Sequence, residues 1–338
     1  MEGVAPLEEM WENACFVTRI VAHAVQLSRV SGRIIRDVAT DPTKLKLVNK
    51  SKIGGDDPQT LADRLSEYTI TYSLRKKFGD DLIVIGEEGE QNIEESEIVD
   101  EVARDVLEHD AEISSQNRLK SIRKEDVVVW VDPLDGTMEY RAAVKAQTDV
   151  PEVTVLIGIA HAGRPLAGVI HQPYYGVNGR TVWGVVGVGV FGTTIAQKSD
   201  HRLIVTSRGH TNQGVQRSLD QLRERNLVSD VDKCGGCGYK VLRCIEGAMA
   251  YVYPTRGTKK WDTCAPEAVL LASGGRLTDA CCRPIRYDAG VQRLNNAGIV
   301  ATAVWAKDYH EKLVDAIPED VKASLPETAS PETLQRFC

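Results

Sequence analysis

The stretch "VVVWVDPLDGTMEY", residues 127–140, places two aspartates directly after an apolar run rich in β-branched residues. Such a run is typical of a buried β-strand. Asp132 and Asp135 therefore stand at the end of a strand, separated by Pro133 and Leu134. Burial penalises the charge of a carboxylate, so two of them at this position need a reason other than packing.

A Gly-Thr pair, Gly136 and Thr137, follows the second aspartate. A Gly-Thr turn that opens a helix presents free backbone N–H groups, and these can hold a phosphate. The Thr137 hydroxyl can pass a proton from water to a neighbouring carboxylate. The ordinary alternative is that Thr137 only caps the helix.

Three further acidic positions occur where an apolar run meets a turn or a helix start. They are Asp57 in "DPQTLAD", Glu87 with Glu88 in "IGEEGE", and Asp262 in "WDTCAPEA". Crowded carboxylates repel one another unless cations lie between them. Oxygen ligands without His or Cys indicate a hard ion, above all Mg²⁺, which in turn pairs with phosphate. The sequence therefore favours metal-dependent phosphate chemistry.

Each acid also has an ordinary structural explanation. Asp262 alone would be a helix N-cap, a Glu-Glu pair at a strand exit is usually a solvated edge, and Asp57 could belong to a turn. The combination is what favours a shared metal site.

The remaining patterns predict secondary structure on both sides of this stretch. Residues Glu8–Ala39 and Leu61–Phe78 have helical periodicity, and Thr60 can cap the second helix. "DLIVIGEEGE" predicts a short buried strand, and the acidic residues 94–112 predict a surface helix. "VTVLIGIAHAGRPLAGVIHQP" and "RTVWGVVGVGVFG" predict an antiparallel meander.

From about Arg202, apolar runs alternate with helical patterns, which is typical of an α/β unit. Helices are predicted at 213–225 and 240–246. "APEAVLLASGG" predicts another, with Pro266 near its start and a Gly-Gly pair past its end.

Composition narrows the class of protein. The chain has 338 residues, of which 42% are hydrophobic and 26% charged, as expected for a soluble globular protein. A net charge of −7 argues against binding to a nucleic-acid polymer. No apolar run is long enough to span a membrane, and the first residues lack the pattern of a secretory signal, so we expect a cytoplasmic protein.

Eight cysteines in such a chain predict reduced thiols rather than a disulfide framework. "CGGC" at Cys234–Cys237 has the spacing of a redox motif or half a zinc site, but no second pair completes a zinc site.

The motifs "IGEE", "WVDPLDGT" and "WDTCAPEA", in this order, resemble the signature of the lithium-sensitive, Mg²⁺-dependent phosphatase superfamily that includes inositol monophosphatase. "DPQTLADR", "KKFGDDLIVIGEE", "GVIHQPYY" and "GTKKWDTCAPEAVLLASGGRLTD" extend the resemblance to its 3'(2'),5'-bisphosphate nucleotidases, over residues 10 to 305 or so. The resemblance implies a layered α/β/α/β/α sandwich. It also implies hydrolysis of adenosine 3',5'-bisphosphate, and of 3'-phosphoadenosine 5'-phosphosulfate, within sulfur assimilation.

The resemblance also implies roles for individual residues. The metal positions, for two or three Mg²⁺ ions and an inhibitory Li⁺, are Glu87, Asp132, the carbonyl of Leu134, Asp135 and Asp262. The catalytic pair that activates water is Asp57 and Thr137. The substrate contacts are Gly136, Thr137, Ser207, His210, Gly236 and Lys240.

Two of these positions have ordinary alternatives, since His210 could be a polar cap and Lys240 a solvated lysine. We expect residues 1–202 to form an α+β metal-binding domain. Residues 203–338 would form an α/β domain that adds nucleotide contacts and one metal ligand.

Two other functions are open. An inositol polyphosphate 1-phosphatase would share the metal motifs and differ in its substrate contacts. A non-catalytic nucleotide sensor would bind the ligand without turnover. No protein partner can be inferred from the sequence.

Overall fold

The structure, a computed structural model, describes residues 5–41, 45, 48–49, 58–89, 97–209 and 211–326. The described residues form short and long α-helices throughout the chain. These are α1 (Leu7–Asn13), α2 (Phe16–Ala39), α3 (Leu61–Phe78), α4 (Arg104–Leu107), α5 (Asp110–Ser114), α6 (Asn117–Lys120), α7 (Thr137–Ala146), α8 (Gln213–Glu224), α9 (Cys237–Glu246), α10 (Lys260–Ala272), α11 (His310–Ala316) and α12 (Glu319–Ala323).

The strands fall into two large sheets and two small pairs. They are β1 (Val48–Asn49), β2 (Pro58–Gln59), β3 (Ile83–Gly86), β4 (Val127–Asp135), β5 (Thr154–His161), β6 (Arg164–Gln172), β7 (Arg180–Val185), β8 (Gly189–Phe191), β9 (Leu203–Ser207), β10 (Asp230–Cys234), β11 (Ala250–Tyr253), β12 (Thr258–Lys259), β13 (Arg276–Thr278), β14 (Leu294–Asn295) and β15 (Ile299–Thr302).

The first sheet has six strands in sequence order, β3 to β8. β3 pairs parallel with β4, and every later neighbour is antiparallel, as the predicted meander requires. Because β3 is an edge strand, it is only half-buried, with Ile83 43% exposed. The prediction of a buried strand at this position is therefore wrong.

The second sheet has five strands in the order β10-β9-β11-β15-β13. β10, β9 and β11 are parallel to one another, and β15 and β13 complete the sheet with antiparallel pairings. Such parallel strands, which are linked by helices, fit the α/β pattern predicted for this half.

The two sheets lie in a stack of five layers. α2 and α3 share a hydrophobic core with one face of the first sheet. α9 and α10 pack between the two sheets, and α8 and α11 cover the outer face of the second. Gly168 permits close contact of α10 with the first sheet, because an added Cβ would lie 2.3 Å from the Ala265 carbonyl oxygen. The predicted α/β/α/β/α sandwich is confirmed.

The division into two domains stays a prediction. The first sheet lies within residues 83–191 and the second within 203–302, in keeping with a change near residue 202. However, α10 comes from the C-terminal half and packs on the first sheet.

The single helix predicted over residues 8–39 is wrong, because the chain forms α1 and α2 with a break at Ala14 and Cys15. Asp110 holds the break in place. Its Oδ1 accepts hydrogen bonds from the Cys15 backbone N–H (2.9 Å) and the Thr18 hydroxyl (2.6 Å), so α2 starts at a carboxylate far along the chain.

The single surface helix predicted over residues 94–112 is also wrong. Residues 94–96 lie outside the described residues, 97–103 are not helical, and α4 and α5 are separate short helices. Val99 and Val106 are buried, and the Ala103 N–H donates to the Ala22 carbonyl of α2. Packing of these apolar residues on α2 overrides the charged character of the segment.

α10 begins at Lys260, so Pro266 lies inside the helix and not near its start. The proline has no N–H to donate, which leaves the Asp262 carbonyl without its usual helical partner. Packing of α10 between the sheets compensates, since ten of its residues, Pro266 among them, are buried.

Seven cysteines in the described part of the chain are free thiols, in agreement with the expectation of reduced cysteines. Cys234 and Cys237 are both buried. Within the described ranges, no helix combines the length and apolar character needed to cross a bilayer.

Candidate active site

Three acidic side chains meet at one edge of the first sheet. Glu87 follows β3, Asp132 lies in β4 and Asp262 is in the first turn of α10. One carboxylate oxygen from each lies within 4.8 Å of the other two. The parallel pairing of β3 and β4 brings their carboxyl ends to the same edge, and α10 starts there. We call these three residues the acidic cluster. The fold brings them together, as the sequence predicted.

The acidic cluster is electrostatically unfavourable without a cation. Asp132 is 2% exposed and accepts one hydrogen bond, from the Leu134 N–H at 3.0 Å. Burial raises the pKa of Asp132 well above its ordinary value, and the charges of Glu87, Asp135 and Asp262 raise it further. Burial, then Glu87 and Asp135, raise the pKa of Asp262 to about 7. Protons or cations must compensate this charge.

Asp262 is not the N-cap of α10, as the ordinary explanation would have it. Lys259 occupies the cap position, and its backbone N–H donates to Asp262 Oδ2 at 2.8 Å. Lys259 Nζ lies 3.4 Å from Glu87 Oε1, so one lysine contacts two members of the acidic cluster.

Asp135 differs from the cluster because protein groups already bind both of its oxygens. Oδ1 accepts from the Cys237 N–H at 3.0 Å, and Oδ2 accepts from the Gly238 N–H at 2.8 Å and the Thr154 hydroxyl at 2.9 Å. A carboxylate offers about four acceptor positions, so one remains, on Oδ1. Burial raises the pKa of Asp135, while Lys240 and the two backbone N–H groups oppose the rise.

Thr137 is the first residue of α7, and Gly136 is its N-cap with φ 88°. The Thr137 hydroxyl lies 3.0 Å from the Leu134 carbonyl oxygen and 3.3 Å from Asp63 Oδ1. No side-chain capping bond is made at this helix start, so the alternative that Thr137 caps the helix is wrong. Asp57 lies outside the described residues, and its partnership with Thr137 stays a prediction.

The predicted substrate residues face a cavity of about 200 Å³ that the acidic cluster also borders. Lys240 is 3% exposed, with Nζ 5.2 Å from the Tyr251 ring centre, so the alternative of a solvated lysine is wrong. His210 lies outside the described residues. The lining includes five of the predicted substrate residues and two cluster members: Gly136, Thr137, Ser207, Gly236, Lys240, Glu87 and Asp262.

Sequence reasoning missed three groups around the site. Asp63 completes the capping box of α3 by accepting from the N–H of the N-cap Thr60 at 2.8 Å, and burial raises the pKa of Asp63 to about 7. Burial raises the pKa of Glu67 to about 8, and its carboxylate accepts from the Glu88 N–H at 2.8 Å. The third is Lys259, described above. Only Asp63 had a signal, the Thr-x-x-Asp spacing of a capping box.

The donor set fits Mg²⁺. A metal site of this kind needs a set of three or more His, Cys, Asp or Glu side chains whose ligand atoms lie close enough to share one ion. Among the described residues, the acidic cluster is the set that meets this criterion. All its donors are carboxylate oxygens, and Asp135 Oδ1 and the Leu134 carbonyl can add further oxygens. Mg²⁺ prefers oxygen ligands and commonly binds one or two carboxylates together with substrate phosphate.

The profile of the inositol monophosphatase family matches residues 17–322. The chain is 38% identical to 3'(2'),5'-bisphosphate nucleotidase 1 of Rattus norvegicus over 320 residues, covering 91% of this chain and 96% of that relative. The protein of the same name from Homo sapiens is also 38% identical, with the same coverage.

Solved structures show the same fold. CysQ from Bacteroides thetaiotaomicron, a bacterial member of the inositol monophosphatase family, has a TM-score of 0.62 at 22% identity, covering 86% of this chain and 98% of its own. The extragenic suppressor protein suhB from Bartonella henselae has a TM-score of 0.63 at 20% identity, covering 89% and 98%. With the family profile and the curated relatives, the chain belongs to the inositol monophosphatase family.

Proposed function

We propose that this chain is a Mg²⁺-dependent phosphatase that removes the 3'-phosphate of adenosine 3',5'-bisphosphate, giving AMP and phosphate. It acts in the same way on 3'-phosphoadenosine 5'-phosphosulfate. The observation that carries the proposal is a single cavity bordered by the acidic cluster and by the buried ammonium of Lys240. The bisphosphate nucleotidases to which the chain is 38% identical support the choice of nucleotide.

Two or three Mg²⁺ ions would be held by the acidic cluster, the Leu134 carbonyl and the remaining acceptor position of Asp135. When bound, Mg²⁺ neutralises the charge of the phosphoryl group and makes the attacking water more acidic. The crowding of Glu87, Asp132 and Asp262 supports this assignment, because burial and then the neighbouring carboxylates raise the pKa values of Asp132 and Asp262, and a cation would offset both effects.

Thr137 would position the attacking water and take its proton. Its hydroxyl hydrogen would in turn go to a carboxylate, which is Asp57 by the family resemblance, although the carboxylate beside the hydroxyl among the described residues is that of Asp63, at 3.3 Å. The hydroxyl contacts the Leu134 carbonyl and Asp63 at the edge of the cavity, which fixes it near the acidic cluster. General-base help of this kind is typically worth about 10²–10⁴-fold in rate.

Lys240 would bind the second phosphate of the substrate. Its ammonium is buried among Asp135 and the Tyr251 ring, so its charge acts in a medium of low dielectric constant. Ser207 at the end of β9 and Gly236 at the start of α9 line the same cavity and would contact the nucleotide, together with His210.

Phosphate release from four substrates tests the proposal: adenosine 3',5'-bisphosphate, 3'-phosphoadenosine 5'-phosphosulfate, inositol 1,4-bisphosphate and inositol 1-phosphate, each with Mg²⁺. We expect the two nucleotides to have the highest kcat/KM. A higher kcat/KM for inositol 1,4-bisphosphate would instead identify an inositol polyphosphate 1-phosphatase. Binding of the nucleotides without any turnover would identify a sensor.

The same proposal includes inhibition by Li⁺. Li⁺ is close to Mg²⁺ in size but carries half the charge, so it can enter an all-oxygen position and fail to supply the needed charge. Initial rates in LiCl and in NaCl at equal ionic strength test this, and equal rates in the two salts would contradict it.

A cytoplasmic location and a role in sulfur assimilation complete the proposal. The seven free cysteines fit a reducing compartment, where disulfides are rare. The role in sulfur assimilation follows from the sulfated substrate, and sulfate-dependent growth of a cell lacking this chain would test it.

A further inference from the structure

A second cavity, which we call the arginine cavity, lies between α2 and the strands β6 and β7. Its volume is about 600 Å³, within the range of small-molecule pockets. Its wall includes Arg29, Arg33, Arg36, His171 and Thr181. It shares no lining residue with the cavity of the acidic cluster, so it is a separate site.

The three arginines lie along one face of α2. Their spacing of four and then three residues places them on consecutive turns. Arg29 is paired with Asp105 at 2.7 Å, and Arg36 donates to the Val177 carbonyl. Arg33 is exposed, and within the described part of the chain it makes no ion pair or hydrogen bond. Like charges on one helix face repel, so this arrangement favours a bound anion.

His171 adds a polar group to the lining of the arginine cavity. It is only 4% exposed, and its Nδ1 lies 2.8 Å from Thr181 Oγ1. When the Thr181 hydroxyl donates to Nδ1, the proton of the neutral ring is on Nε2, which has no partner among the described residues. Burial, followed by Arg29, Arg33 and Arg36, lowers the pKa of His171 to about 3, so the ring is neutral near pH 7.

The backbone around His171 is shaped to admit its ring. Gly32 lies in the middle of α2, where glycine destabilises a helix relative to alanine. An added Cβ at Gly32 would lie 2.3 Å from His171 Nε2. On the other side, Gly179 has φ +74°, and an added Cβ would lie 3.0 Å from His171 Cε1.

We propose that the arginine cavity binds a tetrahedral dianion, a phosphate or sulfate group, either free or carried by a small molecule. The guanidinium of Arg33 binds the group directly, with the charges of Arg29 and Arg36 on either side and His171 as a further donor in the lining. Arginine suits this role because its planar fork matches two oxygens of a phosphate. Asp37, which also lines the cavity, excludes further anionic groups on that side.

Equilibrium dialysis of radiolabelled inorganic phosphate and sulfate against the full chain, with EDTA and without Mg²⁺, tests the proposal. Without metal, the acidic cluster repels anions, and Lys240→Gln removes the remaining cation of that cavity, so the binding kept by Lys240→Gln reports on the arginine cavity. We expect one saturable site per chain, and Arg33→Gln should weaken it roughly tenfold or more. Arg33 is exposed, so the variant should keep the melting temperature of the wild type.

Two variants serve as controls. Arg223→Gln removes an exposed arginine of α8 and should leave binding unchanged. Lys240→Gln removes the cation of the other cavity and should also leave it unchanged. Unsaturable binding, normal binding by Arg33→Gln, or loss of binding in Lys240→Gln would each overturn the proposal.

The same dialysis with AMP, carried out on Lys240→Gln so that the cation of the other cavity does not contribute, separates the two sources of the dianion. Tighter binding of AMP than of inorganic phosphate in this variant, lost when Arg33→Gln is added, supports a phosphate carried by a small molecule. Equal or weaker binding of AMP, with the same response to the variants, supports free phosphate or sulfate.

Discussion

Asp132 and Asp135 are the same residue type, three positions apart in one strand, yet their surroundings differ. Asp135 receives three hydrogen bonds from protein donors, two of them backbone N–H groups of α9. Asp132 receives one, and its other close neighbours are carboxylates. Protein donors therefore compensate the charge of Asp135, whereas the charge of Asp132 is left without comparable compensation from the protein. Asp135 thus holds α9 and β5 in place through its hydrogen bonds, whereas the burial of Asp132 has no comparable structural explanation.

The largest expected effect is on turnover by Asp132→Asn. The variant keeps the shape of the side chain but removes the charge that metal ions require. We expect kcat on adenosine 3',5'-bisphosphate to fall by more than about 10³-fold, since metal ions supply several kcal/mol to such reactions. The melting temperature in EDTA should not fall, because a buried repulsive charge has been removed.

Asp126→Asn is the matched control, since Asp126 is an exposed aspartate six residues earlier in the chain. It should retain wild-type turnover. Near-normal activity of Asp132→Asn would show that Asp132 and Asp135 do not differ as described.

The next effect is that of Thr137→Ala, which should lower kcat by about 10²–10⁴-fold without weakening Mg²⁺ binding to a similar degree. Thr137→Ser keeps the hydroxyl and should retain much of the activity. Steady-state kinetics at saturating Mg²⁺ separates the two. If Ala and Ser variants have the same kcat, the proton relay through Thr137 is wrong.

The next effect is smaller and concerns stability in EDTA. Asp135→Asn should destabilise the fold, whereas Asp132→Asn should not. An asparagine amide has one oxygen where the carboxylate has two. One of the two backbone N–H groups of α9 would therefore lose its acceptor and face the amide NH₂ group. We expect a loss of about 1–3 kcal/mol in the free energy of unfolding in EDTA. Urea unfolding of both variants measures this, and equal stabilities would contradict the comparison.

The smallest effect is on the pH dependence of stability. The folded pKa of Asp262 is about 7, above its ordinary value of 3.8, so the folded state binds more protons between these two pH values. Its contribution to stability is therefore complete below about pH 4 and is lost as the pH rises towards 7. In EDTA, the melting temperature of the wild type should fall across this window more steeply than that of Asp262→Asn. Saturating Mg²⁺ should reduce this difference in pH dependence between the wild type and Asp262→Asn, because bound cations take the place of the protons on the carboxylates.

Local patterns predicted much of the fold. α3 was predicted with both of its ends, because the helical periodicity and the Thr60 cap are local signals. The strand–turn–helix of β4 and α7 was also predicted, since the alternation of apolar and turn residues lies within one short stretch. The layered order came from the family resemblance.

The failures depend on contacts between distant residues. Asp110 breaks the first helix 95 positions away from Cys15, and no local pattern shows it. The three hydrogen bonds of Asp135 come from residues 19 to 103 positions away, so the sequence could not show that Asp132 and Asp135 differ. The sequence left open whether Lys240 is a substrate contact or a solvated lysine, because its burial depends on the packing of α9 between the two sheets.

Isothermal titration of Mg²⁺ into the wild type, Asp132→Asn and Asp126→Asn tests the central claim, that the acidic cluster exists to hold metal ions. We predict saturable binding to the wild type and to Asp126→Asn, and the loss of at least one Mg²⁺ from Asp132→Asn. Equal stoichiometry and affinity in all three proteins would contradict the account.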